Sequence, residues 1–155
     1  AIASLSGIID RSPDQSEAQS LLAQAYTASG DPKQASQTWR ELAQRQPRYP
    51  MVHIFLAQSL SEEGAPNTEV LEALKTAEAT SPMDPDVYYL RGRVYNETGR
   101  HEEAVNELKR AIALQPNIPS QYYQLGMDYQ QLGQTELAGQ QFEKRKQLEQ
   151  STAER

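Results

Sequence analysis

Cysteine is absent from the 155 residues, which removes disulfides, thiolate zinc sites and cysteine nucleophiles from consideration. Histidine is scarce: His53 and His101 are the only side chains that ordinarily titrate near neutral pH. Basic charge is also in short supply, with 15 Lys and Arg against 21 Asp and Glu and a net charge of −6. Gripping DNA or RNA by its phosphates needs a basic face that displaces counterions, so nucleic acid is not an expected partner. An anionic membrane surface is disfavoured on the same ground. No apolar run approaches the roughly 18 residues that would span a bilayer. The opening AIASLSGIIDRS has neither a basic leader nor a long apolar block, so it does not read as a signal peptide. A soluble chain is expected, and a cysteine-free one is equally at ease in cytoplasm or periplasm.

What is present is a ruler. Gly30, Gly64, Gly99 and Gly133 are spaced by 34, 35 and 34 residues, and so are Pro13, Pro47, Pro82 and Pro116. Tyr26, Leu60, Tyr95 and Tyr129 step identically, as do Ala23, Ala57, Gly92 and Gly126. A further register runs through Leu5, Trp39, Leu74, Leu108 and Phe142. Repetition at such a period is the signature of a stacked-repeat architecture. Hydrophobic residues make up 37% and aromatics 7%, low for one deep core and suited to a thin two-layer array. The one extra residue falls within GAPNTE, after Gly64, where Gly, Pro and Asn mark a turn that tolerates insertion.

Apolar residues within each unit recur at three and four, so both halves of the unit are helical. Each first helix ends at its glycine, which closes a helix in the left-handed conformation without a Cβ penalty. Asp31 before Pro32 reads as an N-cap followed by a first-turn proline. Ser12-Pro13 and Asp84-Pro85 repeat that signal, and Pro50 and Pro119 sit at the same boundary.

A helix–turn–helix unit with this spacing resembles the tetratricopeptide repeat. The fourth unit supplies that family's pattern through Tyr122, Leu125, Gly126, Tyr129, Ala138 and Phe142. The third supplies it through Tyr88, Gly92, Tyr95, Ala104, Leu108, Ala111 and Pro116. The first (Ala23, Tyr26, Ala35, Trp39, Pro47) and second (His53, Leu56, Ala57, Leu60, Ala77, Pro82) follow it less fully. Arg91 stands where the family has Leu, Leu42 and Arg145 occupy a small-residue slot, and Gln150 replaces the closing Pro. The resemblance implies an all-α solenoid of antiparallel helix pairs in a right-handed superhelix. Repeats are expected over 16–49, 50–84 (with the insertion in 65–69), 85–118 and 119–152. Residues 1–15 form the second helix of an incomplete repeat, and 153–155 a tail.

Little in the chain points to chemistry. His53 falls in a packing slot, and His101, in the opening turn of a second helix, is expected in solvent. They lie in different repeats, and neither has neighbours at metal-ligand spacing. The glycines are isolated at helix ends, so no phosphate loop is present. Glu62-Glu63 and Glu102-Glu103 read as solvated faces or first-turn dipole partners. Asn96-Glu97-Thr98 matches a glycosylation acceptor but falls inside a helix. No catalytic residue, metal or cofactor is expected, and the chain does not read as an enzyme.

The family's groove slots fall on Glu17, Ser20, Gln24 and Thr27, then on Met51, Ile54, Gln58 and Ser61. They continue with Asp86, Tyr89, Arg93 and Asn96, then Ser120, Tyr123, Met127 and Gln130. Tyr26, Tyr88, Tyr95, Tyr122 and Tyr129 fall in packing slots. Aromatics, amides, one Arg and a Met are the mixture found at protein-binding hot spots. The expected peptide-binding residues are therefore Tyr89, Arg93, Asn96, Tyr123, Met127 and Gln130, with Gln58 and Phe55 from the second repeat. A paired Lys/Asn/Arg clamp for a terminal carboxylate is missing. Leu21, Phe55, Leu90 and Gln124 do not reproduce the asparagine ladder of sugar-transferase superhelices.

A non-catalytic scaffold holding a peptide or helix of a partner protein is the first expectation. The second is a structural or self-associating segment of a larger protein. Ile2, Leu5, Ile8 and Ile9 would then form a cut edge that meets another copy or further repeats. An RNA-reading helical repeat comes third. The polar run EKRKQLEQSTAER suits a solubilising cap.

Overall fold

The computed structural model describes residues 2–11, 16–49 and 51–153; side chains of Leu5 and of residues 8–11 fall outside that description. Ser12-Pro13 and Pro50 therefore lie outside the described residues, as do the side chains of three of the four residues of the expected apolar edge (Leu5, Ile8, Ile9). Those described are helical with short connections, and none is in a strand. They divide into two compact units, 1–82 and 83–155.

Unit 1 holds α1 (Ile2–Arg11), α2 (Ser16–Ala28), α3 (Pro32–Arg45), α4 (Val52–Glu63) and α5 (Asn67–Thr80), each packed on the next. Asp31 caps α3 by accepting from the Gln34 N–H at 3.2 Å, and Pro32 opens the helix where no donor is needed. The chain leaves α2 through Gly30 at φ +77°, which lets the Asp31 N–H return to the Tyr26 carbonyl at 2.9 Å. Ala23, Ala35, Trp39, Leu42, Ala57, Leu60, Leu74 and Ala77 make the fully buried centre. Trp39 stacks on Phe55 with ring centroids 4.9 Å apart and planes 21° from parallel.

Unit 2 holds α6 (Pro85–Glu97), α7 (His101–Leu114), α8 (Pro119–Gln131) and α9 (Thr135–Ala153). Here α6 packs on α7, α7 on α8 and α8 on α9, and α6 also touches α8. Asp84 caps α6 by accepting from the Asp86 N–H at 3.0 Å. Val105, Leu108, Leu125, Tyr129 and Ala138 form one buried cluster, with Tyr89, Ile112, Leu132 and Phe142 against it. The small-against-large pairing is direct. A Cβ built on Gly92 would lie 2.9 Å from Leu108 Cγ, so the helices touch where glycine stands.

Two packing expectations need adjusting. Tyr88, Tyr122 and Tyr129 are buried, but Tyr26 and Tyr95 are only half-buried. Tyr95 lies under the guanidinium of Arg100, 4.3 Å from ring centroid to Cζ, so a cation covers one face in place of a neighbouring helix. Ser20 and Ile54, placed in groove slots, are buried.

Candidate functional site

The outward faces of the first helices carry the candidate residues, and each unit presents its own. In unit 2, Tyr123 is 44% exposed on α8. Its ring lies 6.1 Å from Phe142, and the Arg145 Cζ stands 4.9 Å from its centroid. Arg145 is held from the other side by Glu149, Nε to Oε1 at 2.8 Å. Pro119, Ser120, Tyr123, Arg145 and Glu149 line a recess of about 560 Å3. The cation beside Tyr123 is thus Arg145, reached from α9. Arg93, the expected one, is exposed and pairs along its own helix with Glu97 at 3.6 Å.

Tyr89 is half-buried against the unit 2 cluster, so a large part of it belongs to the core. Met127 is half-buried and Gln130 exposed. Asn96 is also half-buried, and its amide Nδ2 donates to Asp128 Oδ1 at 2.6 Å. That bond commits one of the two N–H donors of a residue expected to bind peptide. His101 Nδ1 meets the same oxygen at 2.8 Å, with the side chain 22% exposed; it is not the solvated histidine its place in the opening turn implied. Asp128 is fully buried, and its Oδ2 has no hydrogen-bond partner.

Unit 1 brings Phe55 and Gln58 together on α4. Phe55 is half-buried on Trp39, and exposed Gln58 donates through Nε2 to Glu62 Oε1 at 3.2 Å. Gln24, Thr27, Ala28, Trp39, Phe55, Gln58 and Ser59 line a cavity of about 250 Å3. Met51, exposed and next to Val52 at the start of α4, adopts φ +58°, the only non-glycine positive φ among the described residues.

Electrostatically these faces are mildly acidic. Burial raises the Asp86 carboxyl above its usual range, and the neighbouring Asp84 adds to the effect. The hydrogen bond from Arg100 holds the Glu103 carboxyl below its usual range, consistent with a first-turn solvated role. Among the described residues no cluster of His, Asp or Glu could hold a metal ion, and no helix is long and apolar enough to cross a membrane.

Sequence models of the tetratricopeptide repeat match residues 1–59 and, as a TPR repeat, residues 92–133. The chain belongs to the tetratricopeptide-repeat family. No curated protein matches its sequence. Solved structures that resemble this tetratricopeptide-repeat chain include the crystal structure of MamA, with a TM-score of 0.91 at 21% identity over 99% of this chain and 90% of that one. MamA 41-end from Desulfovibrio magneticus RS-1 gives 0.87 at 21% identity, covering 97% and 84%. TTC0263, described as a thermophilic TPR protein in Thermus thermophilus, gives 0.75 at 25% identity, covering 93% and 79%.

The family assignment explains the residues that depart from its pattern. Arg91, in a leucine slot of this TPR chain, meets Glu107 of α7 at 3.3 Å, each side chain about nine-tenths buried. His53 takes a slot that Tyr122 fills two repeats later, and the two do the same work. His53 Nε2 lies 3.0 Å from the Pro47 carbonyl, and the Tyr122 hydroxyl donates to the Pro116 carbonyl at 2.7 Å. Both satisfy the carbonyl of a proline that closes the preceding helix pair. His53 is structural on this ground. TPR repeats are in general non-catalytic interaction scaffolds, and this chain has their architecture.

Proposed function

We propose that this TPR chain holds a segment of a partner protein against the outward faces of its first helices. The observation that carries the reading is Tyr123: a large aromatic left 44% exposed, backed by Phe142 and flanked by the Arg145 guanidinium at a 560 Å3 recess. Tyr and Arg are favoured hot-spot residues because they bury much area and keep a polar end. Arg93 and Gln130 are exposed on α6 and α8, and the half-buried Met127 can adapt its shape to an apolar side chain. Asp86 and Glu97 favour a segment that is uncharged or mildly basic.

Selection of peptides from a displayed random library against the intact chain tests the proposal. Convergent sequences should emerge, and Tyr123→Ala with Arg145→Ala should weaken those docking on unit 2 by about 2 kcal/mol or more at unchanged melting temperature. A folded chain that enriches no peptide would overturn it.

A further inference from the structure

Unit 1 carries a second surface, independent of the reading just given. Between α3 and α5, with α4 beneath, runs a groove of about 370 Å3. It takes His53, Leu56 and Leu60 from α4, whereas the 250 Å3 cavity takes Phe55, Gln58 and Ser59, so the two open on different faces of that helix. Ala43, Leu56, Leu60 and Ala73, all buried, make an apolar floor. Arg40, Glu69, Glu72 and Thr76 stand exposed along the rim.

The repeat itself shows that this space is not an unavoidable gap. Two repeats on, the registers of Ala43, His53 and Leu60 hold Ile112, Tyr122 and Tyr129. Tyr122 and Tyr129 are buried, and Ile112 packs on the unit 2 cluster. Unit 2 thus fills from within the volume that unit 1 leaves open. In each of the three pairs the unit 1 residue is the smaller. Helix pairs otherwise close-pack, and three reductions along one groove are what an outside occupant requires.

Charge and floor together say what that occupant is. Arg40 of α3 spends its charge on Glu69 of α5, Nη2 to Oε2 at 3.0 Å. Glu72 has only a weak partner in Lys75 at 3.7 Å, with both side chains about three-quarters exposed. The groove therefore carries surplus negative charge, and residues 1–82 as a whole hold 6 Lys and Arg against 10 Asp and Glu. A basic group beside an apolar ridge complements such a surface. The floor offers a backbone no polar partner, so the ridge belongs to an element whose own N–H and C=O groups are paired internally. A helix meets that condition, and its side-chain ridges pack into the trough between two others. We infer that the α3–α4–α5 groove docks an amphipathic helix of a partner protein. Its apolar ridge lies on Leu56 and Leu60, and an adjacent Lys or Arg reaches Glu72.

A displayed library of helical peptides, randomised along one face and selected on the intact chain, tests this. Clones that also bind a chain carrying Ala43→Ile and His53→Tyr are discarded. Those two changes restore the unit 2 residues, so the groove is filled and the fold kept. Retained peptides should carry apolar residues at three and four with a Lys or Arg beside them. Thr76→Tyr, which crowds the groove from an exposed position, should weaken them about tenfold or more. Glu72→Gln should weaken them about two- to fivefold, an effect that fades at high salt. Tyr123→Ala should leave them unaffected. A selection that retains no clone would overturn the inference. So would retained peptides with apolar residues at alternate positions, the mark of an extended ligand, or peptides indifferent to Thr76→Tyr. None of these results touches the first-helix surface, which Tyr123→Ala tests separately.

Discussion

A Cβ on Gly126 would stand 2.5 Å from Cε1 of Phe142, well inside van der Waals contact. Gly126 lies mid-helix in α8, where Ala is ordinarily better by up to about 1 kcal/mol. Here the ring must move, so Gly126→Ala is expected to destabilise the chain by about 1–3 kcal/mol, the usual cost of overpacking. Phe142→Leu in the same chain should recover part of that loss. Gly139, in α9, has nothing within 4 Å of its notional Cβ. Gly139→Ala should therefore stabilise by about 0.5–1 kcal/mol. Denaturant melts of the variants decide the signs, and a stabilising Gly126→Ala would show that the α8–α9 approach is looser than described.

The pairing of Asn96 and His101 on Asp128 predicts an asymmetry among polar substitutions. Asn96→Ala removes one of two donors from a fully buried carboxylate whose other oxygen is already unpartnered. A cost of about 1–3 kcal/mol is expected, the penalty of leaving a buried polar group short of a bond. Asn106→Ala, an exposed asparagine on α7, should change stability by less than about 0.5 kcal/mol. Equal effects in urea titrations would mean that the network adds nothing.

Tyr122 gives a pH signature. Its hydroxyl donates to the Pro116 carbonyl, and burial raises its ionisation above the usual value near 10. The folded state therefore keeps its proton where the unfolded state gives it up. The contribution is fully present below about pH 10 and is lost as pH rises through the higher folded value. Tyr122→Phe should cost about 1 kcal/mol at pH 8. The gap between wild type and variant should narrow on titration into strong alkali. A gap that widens would contradict the assignment.

Tyr89 and Arg93 separate core from surface. Arg93 is exposed with one ion pair along its helix, so Arg93→Ala should shift stability by no more than about 0.5 kcal/mol. Tyr89→Ala leaves a gap beside the Leu108–Leu125–Tyr129 cluster and should cost about 2 kcal/mol or more. Thermal melts of the two single variants distinguish them. A neutral Tyr89→Ala would return that ring to the ligand surface.

Features that recur with the period were legible in the sequence because each is written several times. The glycines at positive φ, the Asp31 and Asp84 caps and the small-against-large slots at Gly92–Leu108 and Gly126–Phe142 are of that kind. What could not be read are pairs formed once, across helices, by residues outside the repeating pattern. Arg91–Glu107, Asn96–Asp128–His101 and Tyr123–Arg145 join positions 16 to 32 residues apart. Arg91 and Arg145 did announce themselves as wrong residues for their slots, a signal that something nearby compensates. Asp128 gave none: a carboxylate among Gly126, Met127 and Tyr129 looks like helix surface until a neighbouring helix covers it. Hence the sequence alone places His101 in water and the Asn96 amide on the ligand surface.

Hydrogen exchange of the intact chain, with and without a saturating selected peptide, tests the central claim most directly. Protection should rise in α2 and α4, or in α6 and α8, and stay unchanged on the solvent faces of α3, α5, α7 and α9. Protection confined to those second helices would contradict a first-helix binding surface.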